Sequence, residues 1–258
     1  MKQYSMTCIA PTVAKTLGLR PLADASGDPI PEIVTELAGA ERLAILAPDA
    51  LGEFAFGLWR DDMPYLDSLC ERRHLTLRSV MPSITPVNFA CMISGTDLDG
   101  HGVRAKEMDF ACETLLDLLR EVGRTSAGFG QPGYTGSDLL ARCSDLGATA
   151  ALSDDAAVEA VTLAVAEEHR PDFIIVQLGS TDDHFHKFGP SSPMVLPKLR
   201  ETDQRLERMV GTLSGLGYAA VILSDHGQHD TGDPGHPGSH GSDADEDCRV
   251  PVTWLPAS

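Results

Sequence analysis

An α/β fold in a single domain is what the sequence predicts, built on a mostly parallel central sheet with helices on both faces. Two observations point there. Apolar, β-rich runs alternate repeatedly with helix-periodic segments, which is the sequence form of a parallel sheet flanked by helices. Two of the runs, 173–176 and 219–223, stop abruptly at a small residue and deliver carboxylate and imidazole just past their ends, where open parallel sheets bind ligands. A third observation, the length of 258 residues, allows one full core.

The elements follow in chain order. Residues 1–40, with Pro and Gly concentrated around LADASGDPIP, read as a partly irregular lead-in before the first core strand. The folded unit then runs from 41 to 258. Strands are expected over 43–46, 75–80, 126–129, 148–152, 173–177, 219–223 and 250–254, where apolar and β-branched residues cluster between turn signals. Helices are expected over 109–122, 154–169 and 196–216, where apolar residues recur at three and four spacing. A shorter apolar helical pattern follows Thr85 and Pro86. There is no internal repeat and no low-complexity tract.

Composition narrows the function. Lys and Arg number 20 against 38 Asp and Glu, a formal charge of −18. So acidic a surface, with no local basic patch, repels a nucleic-acid polymer, and its main use is solubility. Six scattered cysteines, Cys8, Cys70, Cys91, Cys112, Cys143 and Cys248, show no CxxC and no short paired spacing. They read as thiols in a reducing cytosol, so a cytoplasmic location is expected. The first twenty residues lack the continuous apolar stretch of a secretory signal, and no segment approaches the ~18 apolar residues of a membrane span.

Six of the nine histidines fall between His184 and His240, each near an aspartate. The two densest pieces are QLGSTDDHFHKFGP, residues 177–190, and VILSDHGQHD, residues 221–230. Carboxylate oxygens mixed with imidazole nitrogens suit zinc, manganese or iron better than calcium, which prefers oxygen alone. No cysteine accompanies them, which argues against a closed structural zinc site. Asp49 stands in a turn at the end of the 43–46 strand, a place where an Asp taken alone is more often a helix cap or turn residue. Thr85, immediately before Pro86, reads as a helix N-cap, and a hydroxyl there also sits where an anion would bind.

Five pieces in this order resemble the alkaline phosphatase superfamily, in its type I phosphodiesterase and nucleotide pyrophosphatase branch. They are Asp49 in its turn, Ser83-x-Thr85-x-x-Asn88, Asp182-x-x-x-His186-x-x-Gly189-Pro190, Ser224-Asp225-His226-Gly227, and His240-Gly241 followed by Val250-Pro251. The resemblance implies an alkaline-phosphatase-like catalytic domain, from which the short stretch between Asp225 and His240 departs by leaving room for only a minimal cap. It implies one divalent ion held by Asp182, His186 and His240, and a second held by Asp49, Asp225, His226 and the Thr85 oxygen. Zinc is the expected ion at both, with manganese or iron as alternatives. Thr85 would be the nucleophile, forming a phospho-threonine, and the substrate would be a small phosphate ester.

The sequence departs from that family at Lys106, where the family carries an Asn that contacts a phosphoryl oxygen. Lys106 is therefore either a partner for a phosphate dianion, which would favour a monoester or phosphonate, or a solvated lysine. Asn88, Arg104 and His101 are candidates for phosphate contact or loop structure. His229 and His236 crowd the same region and are alternatives to His240 as a ligand. Asp183 and His184, in the same loop as Asp182, read as supporting or exposed groups. Phosphonate hydrolysis and phosphotransfer on the same scaffold are alternatives to ester hydrolysis, and a metal-binding protein without catalysis is the alternative from another class.

Overall fold

The computed structural model describes residues 3–257, so the first two residues of the expected lead-in and the last residue of the expected catalytic unit lie outside it. Its main sheet has eight strands: β1 (Gln3–Ser5), β2 (Arg42–Pro48), β3 (Leu75–Arg78), β4 (Ser126–Gly130), β5 (Ala148–Thr149), β6 (Phe173–Leu178), β7 (Tyr218–Leu223) and β10 (Arg249–Leu255). Their spatial order is β1-β3-β10-β7-β2-β6-β4-β5. All neighbours are parallel except β10, which runs antiparallel between β3 and β7. The remaining two strands, β8 (His229–Asp233) and β9 (His236–Ser239), make a separate hairpin, all that stands between Asp225 and His240 by way of a cap.

β2 shows why both faces of the sheet need helices. Leu43, Ile45 and Ala47 pack into one core, while Ala44 and Leu46 pack into the other, all fully buried. Alternate side chains of a strand point to opposite faces, so a strand apolar at every position must be covered twice. The first core takes in helices Ile9–Thr16, Thr85–Ser94 and Leu115–Glu121; the second takes in Pro64–Cys70, Asp155–His169 and Leu196–Gly215. Each fully buried Leu or Ile contributes about 1.5–3 kcal/mol relative to exposure.

All seven expected strands are present, with β5 cut to two residues. The lead-in is more regular than its composition suggests: Met6, Ile9, Val13 and Leu17 bury in the first core, placing a strand and two helices within residues 3–40. The 109–122 helix begins only at Leu115, because Thr114 and Asp117 form a reciprocal capping box that sets its start. Asp182, Asp183 and His184 lie in a helix, Ser180–Phe188, and not in a loop.

Register places the chemistry. β2 sits between β6 and β7, with Pro48 opposite Leu178 and Leu46 opposite Ile222. The carboxyl ends of the three central strands therefore lie side by side. The helix that follows β6 is anchored there by Asp155, a buried carboxylate that accepts from Ser180 N at 3.2 Å and from Gln131 Nε2 at 2.7 Å. Replacing Asp155 with Ala leaves two buried donors without this acceptor and is expected to lower the unfolding free energy by ~1–3 kcal/mol, read by urea denaturation. Asp155→Asn, which keeps one acceptor oxygen, should cost less.

Candidate metal centre

Asp49 follows β2 directly, and its N–H continues the parallel ladder to Leu178 O at 2.9 Å. One carboxylate oxygen, Oδ2, accepts from the side-chain amide of Gln177. The next residue, Ala50, adopts φ 60°, a left-handed conformation that costs a β-carbon-bearing residue roughly 1–2 kcal/mol. That turn aims the Ala50 N–H at Asp225 Oδ1, 3.2 Å away. Behind it the two strand-end loops touch through glycines: a Cβ on Gly52 would lie 2.6 Å from Gly227 Cα. No larger residue at Gly52 would let the loops bearing Asp49 and Asp225 approach so closely.

His226 completes this inner group. Its Nδ1 lies 3.0 Å from Gly227 O, and a carbonyl can only accept, so the proton is on Nδ1. Burial, with the charge of neighbouring His240, lowers its pKa to about 3, so the ring is neutral and Nε2 carries a lone pair. Nε2 faces Asp225 Oδ2 at 3.2 Å, Asp49 Oδ1 at 3.6 Å and Thr85 Oγ1 at 3.1 Å.

The outer group combines one helix with one loop. Asp182 and His186 are four residues apart in Ser180–Phe188, so they share a face. His186 Nε2 lies 3.4 Å, and His240 Nε2 3.7 Å, from Asp182 Oδ1. Each ring again donates from Nδ1 to a backbone carbonyl, His186 to Gly238 O at 3.1 Å and His240 to Ser83 O at 3.0 Å. The rings of His226 and His240 stack with centroids 4.0 Å apart, so the two groups are neighbours.

These donors fit divalent ions. Within each of the groups Asp49, Asp225, His226 and Asp182, His186, His240, the ligand atoms lie within 4.8 Å of one another. Asp49 Oδ1 and Asp225 Oδ2 are buried without a hydrogen-bond partner, and they are the two oxygens that face His226 Nε2. Two carboxylate oxygens and one imidazole nitrogen thus converge on one point. Burial, then the charges of Asp225 and Asp182, holds the Asp49 carboxyl well above the usual carboxylate range, and burial raises Asp225 as well. Among the described residues, no lysine or arginine pairs with Asp49, Asp182 or Asp225. A cation bound by these atoms would relieve the repulsion, and imidazoles oriented through Nδ1 on carbonyls are the usual arrangement of metal-ligating histidines.

Thr85 is the first residue of its helix, not its N-cap; Ile84 holds that position. The hydroxyl is therefore free of the capping bond expected from the sequence and donates to His226 Nε2. Asn88 is fully buried, with Oδ1 accepting from Val80 N at 2.8 Å and Nδ2 donating to Val80 O at 3.1 Å. It braces the loop before Thr85 and is not placed for phosphate contact. Lys106 donates to Gly133 O and pairs with Asp138 at 3.4 Å, which removes the argument from this residue for a phosphate dianion. Arg104 is exposed, and no side-chain contact brings it to either group; His101 is buried, accepting from Val103 N at 3.0 Å.

His240, and neither of its alternatives, stands beside Asp182 and His186. His229 bonds instead to buried Asp247 at 2.7 Å, and His236 is exposed in the hairpin. His184 bonds back to Ser180 O at 2.8 Å, and Asp183 accepts from Tyr134 Oη at 2.7 Å. Sequence reasoning missed Gln177 and Gln228, which touch Asp49 and Asp182. A glutamine in the otherwise apolar run FIIVQL was the available signal for the first.

Residues 121–243 match the type I phosphodiesterase / nucleotide pyrophosphatase family, a span that includes Asp182, His186, Asp225, His226 and His240 and stops short of Asp49 and Thr85. No curated protein matches the sequence. Among solved structures, the chain is similar to phosphonoacetate hydrolase from Sinorhizobium meliloti 1021 in complex with phosphonoformate, at TM-score 0.58 and 18% identity, covering 73% of this chain and 57% of that one. It is also similar to murine ectonucleotide pyrophosphatase / phosphodiesterase 5, inactive and in complex with AMP, at TM-score 0.60 and 15% identity, covering 74% and 58%. The human counterpart gives TM-score 0.56 and 16% identity, covering 73% and 57%. The chain thus spans under three-fifths of the length of these proteins. The resemblance read from the motifs is borne out: the chain is similar to the type I phosphodiesterase and nucleotide pyrophosphatase family, on an alkaline-phosphatase-like α/β fold.

Proposed function

We propose that this chain is a metal-dependent hydrolase of small phosphate esters that acts through a phospho-threonine on Thr85. The observation that carries the reading is the placement of a partly exposed hydroxyl 3.1 Å from His226 Nε2, at the edge of a buried group whose carboxylate oxygens lack partners. Asp49, Asp225, His226 and the Thr85 oxygen would hold one ion, and Asp182, His186 and His240 the other, with zinc the expected metal. When bound, the two ions would supply Lewis acidity that lowers the hydroxyl pKa and offsets charge on the phosphoryl oxygens.

The chain's own residues do the rest. Thr85 Oγ1 bonds to phosphorus as the ester P–O bond breaks, and the alcohol departs with a proton. Water then attacks the phosphorus, the Thr85–phosphorus bond breaks, and phosphate leaves with the hydroxyl restored. His226, with a pKa near 3, is a poor general base, so its use here is as a neutral donor atom for the ion. The buried Asn88 brace holds the Thr85 loop still during the in-line displacement. Support also comes from one of the similar structures, which was captured with AMP as an inactive threonine-to-alanine variant.

With Lys106 tied to Gly133 and Asp138, the preference for a monoester or phosphonate loses its main argument. A panel of an aryl phosphate monoester, an aryl diester and phosphonoacetate decides among them, and turnover of phosphonoacetate alone would favour carbon–phosphorus cleavage.

Thr85→Ala is expected to lower turnover of the best ester by more than ~10³-fold while zinc remains bound, measured by steady-state kinetics with metal analysis. Parent-like turnover in that variant would remove Thr85 as nucleophile. A separate thermodynamic test uses Asp225→Asn. Removing one of two adjacent buried like charges should make the metal-stripped chain more stable than the parent at neutral pH. Adding zinc at 100 times its dissociation constant should stabilise the parent by about 2.7 kcal/mol and the variant by much less, read by thermal or urea unfolding. An equal zinc increment in both would place the metal elsewhere.

A further inference from the structure

Each carboxylate in these two groups accepts a hydrogen bond that steadies it with an oxygen facing the centre. At Asp225 the backbone does this: Oδ1 accepts from Ala50 N, and Oδ2 is left without a partner, facing His226. At Asp49 a side chain does it. Gln177, almost wholly buried, donates to Oδ2 and leaves Oδ1 facing His226 Nε2 at 3.6 Å. Its own amide oxygen accepts from Gly136 N at 2.5 Å, so the group is held at both ends and cannot rotate away. At Asp182 a second buried glutamine, Gln228, donates to Oδ1 at 2.5 Å, the oxygen that both imidazoles face.

We infer that Gln177 and Gln228 are positioning residues, one for each cation site, acting through the hydrogen bond that each donates to a ligand carboxylate. The inference rests on the two-metal reading above. The residue type follows from the chemistry. A lysine or arginine in the same place would bring a positive charge that competes with the cation, and another carboxylate would deepen the repulsion. A neutral amide donates a hydrogen bond without changing the charge of the site, and the glutamine stem is long enough to reach from the end of β6 or from the residue after Gly227. Groups that orient metal ligands in this way tune affinity without touching the ion.

The test is zinc titration of the metal-stripped protein against a chromophoric competing chelator, with cobalt(II) absorption as a second signal of ligand geometry. Methionine matches glutamine closely in size and cannot donate. Gln228→Met is expected to weaken one zinc-binding step on the order of 10–100-fold and shift its cobalt spectrum, leaving the other step within about two-fold. Gln177→Met should weaken the other step instead. If Gln177→Met does not fold, Gln177→Asn, uncharged and one methylene shorter, withdraws the donor from Asp49 and must weaken the same step. Unchanged zinc affinities in folded variants, with only the melting temperature of the metal-stripped protein lowered, would make the glutamines packing residues and overturn the inference. A parent chain that takes up no zinc would overturn it together with the two-metal reading, so the two failures are told apart.

Discussion

Two carboxylates, Asp49 and Asp225, are buried with one oxygen apiece turned toward Nε2 of a neutral imidazole, and the rest of the site is arranged around that contact. Left alone it is unfavourable, because desolvated like charges repel and neither free oxygen has a donor. A fold tolerates such an arrangement only if its surroundings hold it in place. Here they do so with the central sheet on one side and the Gly52–Gly227 contact on the other. The left-handed turn at Ala50 is a further local cost accepted at the same point.

The sheet supplies rigidity where the chemistry needs it. β2, β6 and β7 are buried on both faces, and their shared register brings three chain segments to one edge without any long loop having to choose a conformation. The outer group is built differently. One helix turn sets the distance between Asp182 and His186, while His240 arrives from the far side of a short hairpin and docks through the Ser83 carbonyl. The contrast suits the proposed division of labour. The inner group is buried and lies beside the proposed nucleophile, and the outer one is partly exposed.

Thr85 joins these parts. Its segment is tied to both halves of the centre, because Ser79 Oγ donates to Asp225 O at 2.6 Å and Ser83 Oγ donates to Ser242 O at 2.7 Å, just past His240. Asn88 closes the loop from within. A hydroxyl on such a segment is positioned by at least four hydrogen bonds that are not its own, which is what an in-line attack demands of a nucleophile.

Much of this was legible before the fold was known. Strand runs such as 173–176 and 219–223 announce themselves because a strand buried on both faces has to be apolar at every position, and a carboxylate or imidazole just beyond such a run is conspicuous. Asp182 and His186 were identifiable as a pair by spacing alone, although the sequence read their segment as a loop. The polarity of STDDHFHKF hides a helix whose apolar contact is chiefly Phe185. What the chain's order of residues could not decide was anything set by contacts between distant segments. Choosing His240 over His229 depended on Asp247 capturing the latter, 18 residues away, and the Thr85 hydroxyl, outside the cap position that Ile84 holds, finds its partner in His226, 141 residues away. Lys106 and Asn88 each had two readings, phosphate contact or a solvated or structural role, and their bonds to Asp138 and to the Val80 backbone favour the second. Residue type and periodicity determine which groups can do chemistry and on which element they ride; hydrogen-bond partners are won by competition in three dimensions, and only the tertiary structure decides that competition.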